Sequence, residues 1–184
     1  MAKLYFRYSP MNSGKSIHLL QTAQNYKERG MPVLLMTSSK DVRNGEGVIS
    51  SRLGLSEPAY PISNVKDLVP VEMALQTSNL CAIFVDESQF LSSDIVDKLG
   101  SLVDTYDVPI FCYGLKTDYT SALFEGSARL FAIADSITEL KSICKCGRKA
   151  IFNARIIESD EQIVLGGEET YTTMCRKCFV EHSK

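Results

Sequence analysis

Short apolar runs recur along this chain, each bounded by Gly, Pro or polar residues, with amphipathic stretches between them. Leu4-Tyr5-Phe6-Arg7-Tyr8 is rich in aromatics and predicts a strand. Pro32-Val33-Leu34-Leu35-Met36, Leu80-Cys81-Ala82-Ile83-Phe84-Val85 and Val108-Pro109-Ile110-Phe111-Cys112-Tyr113 predict three more. The run ending at Val85 has no polar interruption, which is how a parallel strand buried on both faces reads. Between the strands, Lys15 to Arg29 carries apolar residues about three and four apart and predicts a helix, with Gly30 suited to the position just past its end. Asn64 to Thr77 also predicts a helix, disturbed at Pro70, with Val65, Leu68, Val69, Met73 and Leu75 apolar. Ser92 or Ser93 can cap a further helix reaching about Tyr106. The polar stretch from Asp41 to Gly54 predicts a loop, as does Gly114, and the pattern from Ser127 to Leu140 is mixed. Strand–helix alternation implies an α/β fold with a mostly parallel sheet covered on both faces.

Composition narrows the class. A length of 184 residues fits one domain with a small appendage, and 45% hydrophobic with 23% charged residues suits a globular chain. A net charge of −2 argues against a strong electrostatic grip on nucleic acid or an anionic membrane. No apolar stretch approaches the ~20 residues of a membrane-spanning helix, and the N-terminus lacks a basic-then-apolar signal pattern. Cytoplasmic residence is therefore expected, with the six cysteines in a reducing compartment.

The chemistry is concentrated where the first strand meets the first helix. Ser9-Pro10-Met11-Asn12-Ser13-Gly14-Lys15-Ser16 follows the phosphate-binding pattern G-x-x-x-x-G-K-[ST], except that Ser9 stands where the first Gly belongs. In such a loop the backbone N–H groups converge on a polyphosphate and the helix N-terminus adds positive potential. Lys15 would reach the β- and γ-phosphates, and the Ser16 hydroxyl would ligate Mg²⁺. Asp86, directly after the buried run, is where such a site needs its acidic partner for the metal. Glu87 beside it can take a proton from the attacking nucleophile or orient it. A GTPase reading fails twice. Gln89 occupies the Gly position of Asp-x-x-Gly, and Leu115-Lys116-Thr117-Asp118 lacks the Asn of the guanine-reading motif.

The cysteines fall into two kinds. Cys81 and Cys112 sit inside apolar runs and read as small buried hydrophobes. Cys144 and Cys146 form Cys-x-Cys, while Cys175 and Cys178 form Cys-x-x-Cys, and two such pairs can build a tetrahedral structural zinc site. His182 is an alternative ligand, whereas His18, in the first helix, reads as an ordinary packing residue. The zinc site would close the segment 147–174, with its Gly166-Gly167 pair, into a long tethered loop able to act as a lid.

Taken together, Ser9–Ser16, Asp86-Glu87-Ser88-Gln89-Phe90, Tyr113-Gly114-Leu115 and Gly166-Gly167…Tyr171…Cys175-x-x-Cys178 resemble the zinc-containing thymidine kinases of the bacterial type, from about Lys3 to Cys178. The resemblance implies a P-loop domain over residues 1–140 and a zinc-binding lasso domain over 141–184, usually assembled as a homotetramer. It implies transfer of the γ-phosphate of ATP to the 5′-hydroxyl of thymidine, inhibition by dTTP, Mg²⁺ with ATP and structural Zn²⁺. Glu87 matches the family's general base. Asp41, Arg43 and Gln89 join the phosphate and Mg²⁺ set. Met11, Phe90, Leu115, Tyr119 and Phe124 match the walls of the thymine pocket. Gln162, Ile163, Val164, Leu165 and Gly166, with Tyr171, match the lasso that closes over the nucleoside.

Two other classes compete. An ATP-driven nucleic-acid motor would need a basic stripe and a larger chain. A zinc-stapled binding module would leave Lys15 and Glu87 without purpose.

Overall fold

The computed structural model describes residues 1–42, 45–157 and 170–182. Strand β1 (Leu4–Ser9) leads through a tight loop into helix α1 (Lys15–Lys27), and β2 (Val33–Ser38) follows. Gly30 has φ 68, the Gly30 N–H donates to the Lys27 carbonyl at 3.0 Å and the Met31 N–H to the Tyr26 carbonyl at 3.1 Å. This is the left-handed closure that the glycine was expected to provide. The region expected to be loop instead holds a hairpin, β3 (Val48–Ser50) paired antiparallel with β4 (Ser56–Pro58), which buries Ile49 against α1. Three-residue strands set between glycines leave no periodic signal, so the pattern missed them. A further short strand, β5 (Tyr60–Ile62), lies parallel to β2.

The stretch expected to be one helix from Asn64 is two elements. A 3₁₀ turn over Val65–Leu68 is capped reciprocally by Asn64 and Asp67, and α2 (Val69–Thr77) starts with Pro70 in its first turn. Proline is tolerated there because the N–H it lacks would have no helical partner. Then come β6 (Ala82–Asp86), α3 (Ser93–Tyr106) capped by Ser92, β7 (Ile110–Leu115), α4 (Glu125–Ile133) and β8 (Ser136–Glu139). The central sheet has the order β5-β2-β6-β7-β1-β8, every neighbouring pair parallel.

Alternation along these strands builds two cores. Leu4, Phe6, Ile83, Val85, Ile110 and Cys112 face Leu68, Val71, Val96, Leu99 and Leu130 on one side. Phe84, Phe111 and Tyr113 face Leu19, Leu20 and Ala23 of α1 on the other. The expected sheet with helices on both faces is therefore present. His18 packs its ring against Tyr113, as a packing residue would, and also joins a polar cluster. Its Nδ1 lies 3.0 Å from the Tyr113 hydroxyl and 3.2 Å from Arg7, which also donates to that hydroxyl at 2.5 Å. Arg7 points at α1 from a strand and needs acceptors, and His18 helps to supply them.

The expected loop at Gly114 is also corrected, because β7 runs through it to Leu115. A Cβ on Gly114 would lie 2.7 Å from Ser88 Oγ and 2.9 Å from Gln89 Oε1. The glycine marks close approach of the turn after β6, not a chain break. Gly126 does the same for α4, since its Cβ would lie 2.4 Å from the Ser88 carbonyl oxygen and 2.7 Å from that of Leu91. Gly126→Ala should therefore destabilise the fold by about 1–3 kcal/mol or more, read as a lower denaturation midpoint. An unchanged midpoint would mean that the contact yields freely.

The C-terminal part forms a separate small cluster. It contains β9 (Ser142–Ile143) with β10 (Lys149–Ala150), β11 (Phe152–Arg155) with β12 (Tyr171–Met174), and α5 (Arg176–His182). Ala150, Ala154, Met174, Cys144 and Cys175 pack together within it. The segment read as a closed, tethered loop over 147–174 has an antiparallel ladder at its base among the described residues.

Candidate active site

Parallel pairing brings the carboxyl ends of β1, β6 and β7 to one edge, with Ser9 opposite Leu115. Crevices at such edges are where open α/β sheets bind ligands. Ser9 is the last residue of β1 and fully buried. Its hydroxyl donates to the Pro10 carbonyl at 3.0 Å and accepts from the Ser13 hydroxyl at 2.7 Å. The left-handed residues of the loop are Asn12 at φ 60 and Gly14 at φ 76. Ser9 thus makes no turn that needs glycine, and Asn is among the residues that tolerate the turn at 12. Lys15, 8% exposed, folds over its own loop with Nζ donating to the Pro10 carbonyl at 3.1 Å.

Ser16 reaches across to β6, its hydroxyl donating to Asp86 Oδ2 at 2.7 Å. The other Asp86 oxygen accepts the Glu87 N–H at 2.9 Å. Burial and the neighbouring Glu87 carboxylate push Asp86 up to about 6 against the pull of these hydrogen bonds and of Lys15. A buried acid so held suits a cation placed beside Ser16. Glu87 sits in the left-handed region at φ 51, an uncommon conformation for a non-glycine residue, between a buried strand and a short 3₁₀ turn over Ser88–Phe90. Its Oε2 accepts from Gln89 Nε2 at 2.5 Å, and Gln89 Oε1 accepts the Leu115 N–H at 3.0 Å. Both ends of the Gln89 carboxamide are therefore engaged by protein. Asp41 is buried at the turn after β2, its N–H donating to the Ser38 carbonyl at 3.1 Å, while Arg43 lies outside the described residues.

The residues expected to wall a base pocket fall into two connected groups. Phe90 and Phe124 meet edge to face at 5.7 Å, close to Leu115 through Gln89. Tyr119 lies under the Arg155 guanidinium at 3.7 Å, and Arg155 donates to the Tyr171 hydroxyl at 3.1 Å. Met11 is buried, its N–H donating to Asn153 Oδ1 at 2.7 Å. The sequence reading singled out neither Asn153 nor Arg155. They sit on β11, distant in sequence from the loops they touch, and only the tertiary fold reveals them. Gln162, Ile163, Val164, Leu165 and Gly166 lie outside the described residues.

The sulfur atoms of Cys144, Cys146, Cys175 and Cys178 all lie within 4.8 Å of one another. Tetrahedral zinc with sulfur at ~2.3 Å needs sulfur–sulfur distances of about 3.8 Å. Gly147, at φ 83, makes the turn that brings Cys146 round, with its N–H donating to the Cys144 carbonyl at 2.8 Å. Backbone N–H groups of Cys146 and Cys175 pull the Cys144 thiol down to about 6, while its three neighbours push Cys178 up to about 12. The donor set fits a soft divalent cation, which would let all four thiols ionise together. His182 is not aimed at this cluster; its Nε2 meets the Arg155 carbonyl at 3.0 Å.

The family model described as "Thymidine kinase" matches residues 2–179. The chain is 46% identical to a thymidine kinase of Shewanella oneidensis, over 98% of each chain. It is 47% identical to one of Legionella pneumophila strain Paris, over 96% of this chain and 88% of the relative. Against one of Streptococcus pyogenes serotype M3 the identity is 45%, over 96% of both. The chain belongs to the thymidine kinase family. As a member of that family it is an enzyme, a kinase. Asp118, in the stretch compared above with the guanine-reading motif, is engaged locally. Its Oδ1 accepts the Thr120 and Ala122 N–H groups at 2.9 and 3.0 Å and the Thr120 hydroxyl at 2.7 Å. Among the described residues no helix of this thymidine kinase family member is long and apolar enough to cross a membrane.

Proposed function

We propose that this kinase transfers the γ-phosphate of ATP to the 5′-hydroxyl of thymidine, giving ADP and dTMP. The observation that carries the reading is the junction of Lys15, Ser16, Asp86 and Glu87 at the carboxyl edge of the sheet, with the Ser16 hydroxyl 2.7 Å from Asp86, in a chain of the thymidine kinase family. The loop from Ser9 to Ser16 binds the triphosphate, and Lys15 exchanges its Pro10 partner for phosphate oxygens. Ser16 and Asp86 would hold Mg²⁺, which neutralises phosphate charge when bound. Glu87 accepts the proton of the 5′-hydroxyl as that oxygen bonds to the γ-phosphorus and the bond to the ADP oxygen breaks. Gln89, donating to Glu87 Oε2, limits rotation of that carboxylate. Met11, Phe90, Leu115, Tyr119, Phe124 and Tyr171 form the nucleoside pocket.

The division at residue 140 into a kinase part and a zinc part, cytoplasmic residence, a homotetramer and inhibition by dTTP belong to the same reading. ADP release tests it. Turnover should depend on thymidine and be indifferent to DNA; stimulation by DNA, or ADP release unaffected by nucleoside, would refute it.

Cys144, Cys146, Cys175 and Cys178 would hold one zinc ion with a structural role. Replacing Cys175 and Cys178 by Ser should abolish stoichiometric zinc in elemental analysis and lower the melting temperature. Zinc retained in that double variant would refute the assignment, and His182→Ala should leave the metal in place.

A further inference from the structure

We infer that Asn153 is a positioning residue that clamps the phosphate loop to the C-terminal unit. The inference rests on the phosphate-loop reading above. Asn153 lies on β11, opposite Thr173 of β12, and is 4% exposed. Its carboxamide is used at both ends. Oδ1 accepts the Met11 N–H at 2.7 Å and Nδ2 donates to the Thr117 carbonyl at 3.1 Å. One side chain thus joins the loop after β1 to the loop after β7.

The Met11 N–H is one of the donors a phosphate loop could aim at its ligand, yet here it is spent on a side chain. The bond instead fixes the chain next to Asn12, whose left-handed conformation turns the loop toward Gly14 and Lys15. A buried N–H that loses its acceptor must find another or twist. The loop is therefore preorganised by a residue outside it, and the cost of ordering it is met before nucleotide arrives. The path runs on to the cysteines. Phe152, beside Asn153, pairs with Met174, and Met174 packs with Cys144 and Cys175. The C-terminal unit that the cysteines hold together thereby sets the shape of a loop on β1.

The test is Asn153→Leu, which keeps the branching and the number of side-chain heavy atoms and removes both hydrogen bonds, in the full chain with its metal. ADP binding should weaken about tenfold, the effect of losing a buried hydrogen bond, with zinc content unchanged and amide exchange at Met11 and Asn12 accelerated. A purely packing role would leave ADP affinity and loop exchange at wild-type values, and that result overturns the clamp. So does loss of ADP affinity that appears only together with loss of zinc. Should the variant not fold, the unsubstituted protein still decides the matter by NMR. The Met11 amide should exchange at least about tenfold more slowly than that of Ser13 without nucleotide, and equal rates would refute the bond. These readings need no nucleoside. If the protein binds ADP but does not phosphorylate thymidine, the proposed reaction fails while the clamp is decided by Asn153.

Discussion

Lys15→Ala should lower kcat by at least about 10²–10³-fold, the range seen when one preorganised donor is removed from a developing charge. The free chain already holds the ammonium over the loop, 3.1 Å from the Pro10 carbonyl and 8% exposed. Its desolvation is therefore largely complete before ATP binds. What the cation adds is greatest as negative charge gathers between the β- and γ-phosphates, so kcat suffers more than ATP affinity. The Pro10 carbonyl keeps its Ser9 and Ser13 hydroxyl donors, so the variant should remain folded by circular dichroism. Turnover within a few-fold of wild type in the folded variant would remove Lys15 from the transition state.

Glu87→Gln should lower kcat by about 10²–10⁴-fold while thymidine affinity holds. The substitution is geometrically mild. A Gln carbonyl can still accept from Gln89 Nε2, the contact now made at 2.5 Å, and the unusual φ of 51 is set by the backbone on either side. The carboxamide cannot take the hydroxyl proton at neutral pH. Thymidine affinity lost with kcat intact would instead make Glu87 a binding residue.

The legible part of this molecule was the part governed by local periodicity. Leu80 to Val85 reads as a doubly buried strand because both its faces meet helices, Phe84 on one side and Ile83 on the other. The Gly-Lys-Ser tripeptide reads as a phosphate loop because its chemistry is local. What remained hidden depends on long-range approach. Gly114 looks like a chain break and is a contact point for Ser88 and Gln89. Nothing beside Asn153 in the chain marks it as a partner of Met11, 142 residues away. The left-handed turns at Asn12 and Glu87 carry no residue signature strong enough to announce them. The four cysteines were legible as a set because metal spacing is local within each pair, and the fold brings the two pairs together.

The central claim is a reaction, and product identification tests it most directly. Purified protein with γ-labelled ATP, Mg²⁺ and a panel of nucleosides should place the label on the 5′-oxygen of thymidine, with ADP formed in equal amount. Label found in inorganic phosphate alone, or on no nucleoside in the panel, would contradict the account.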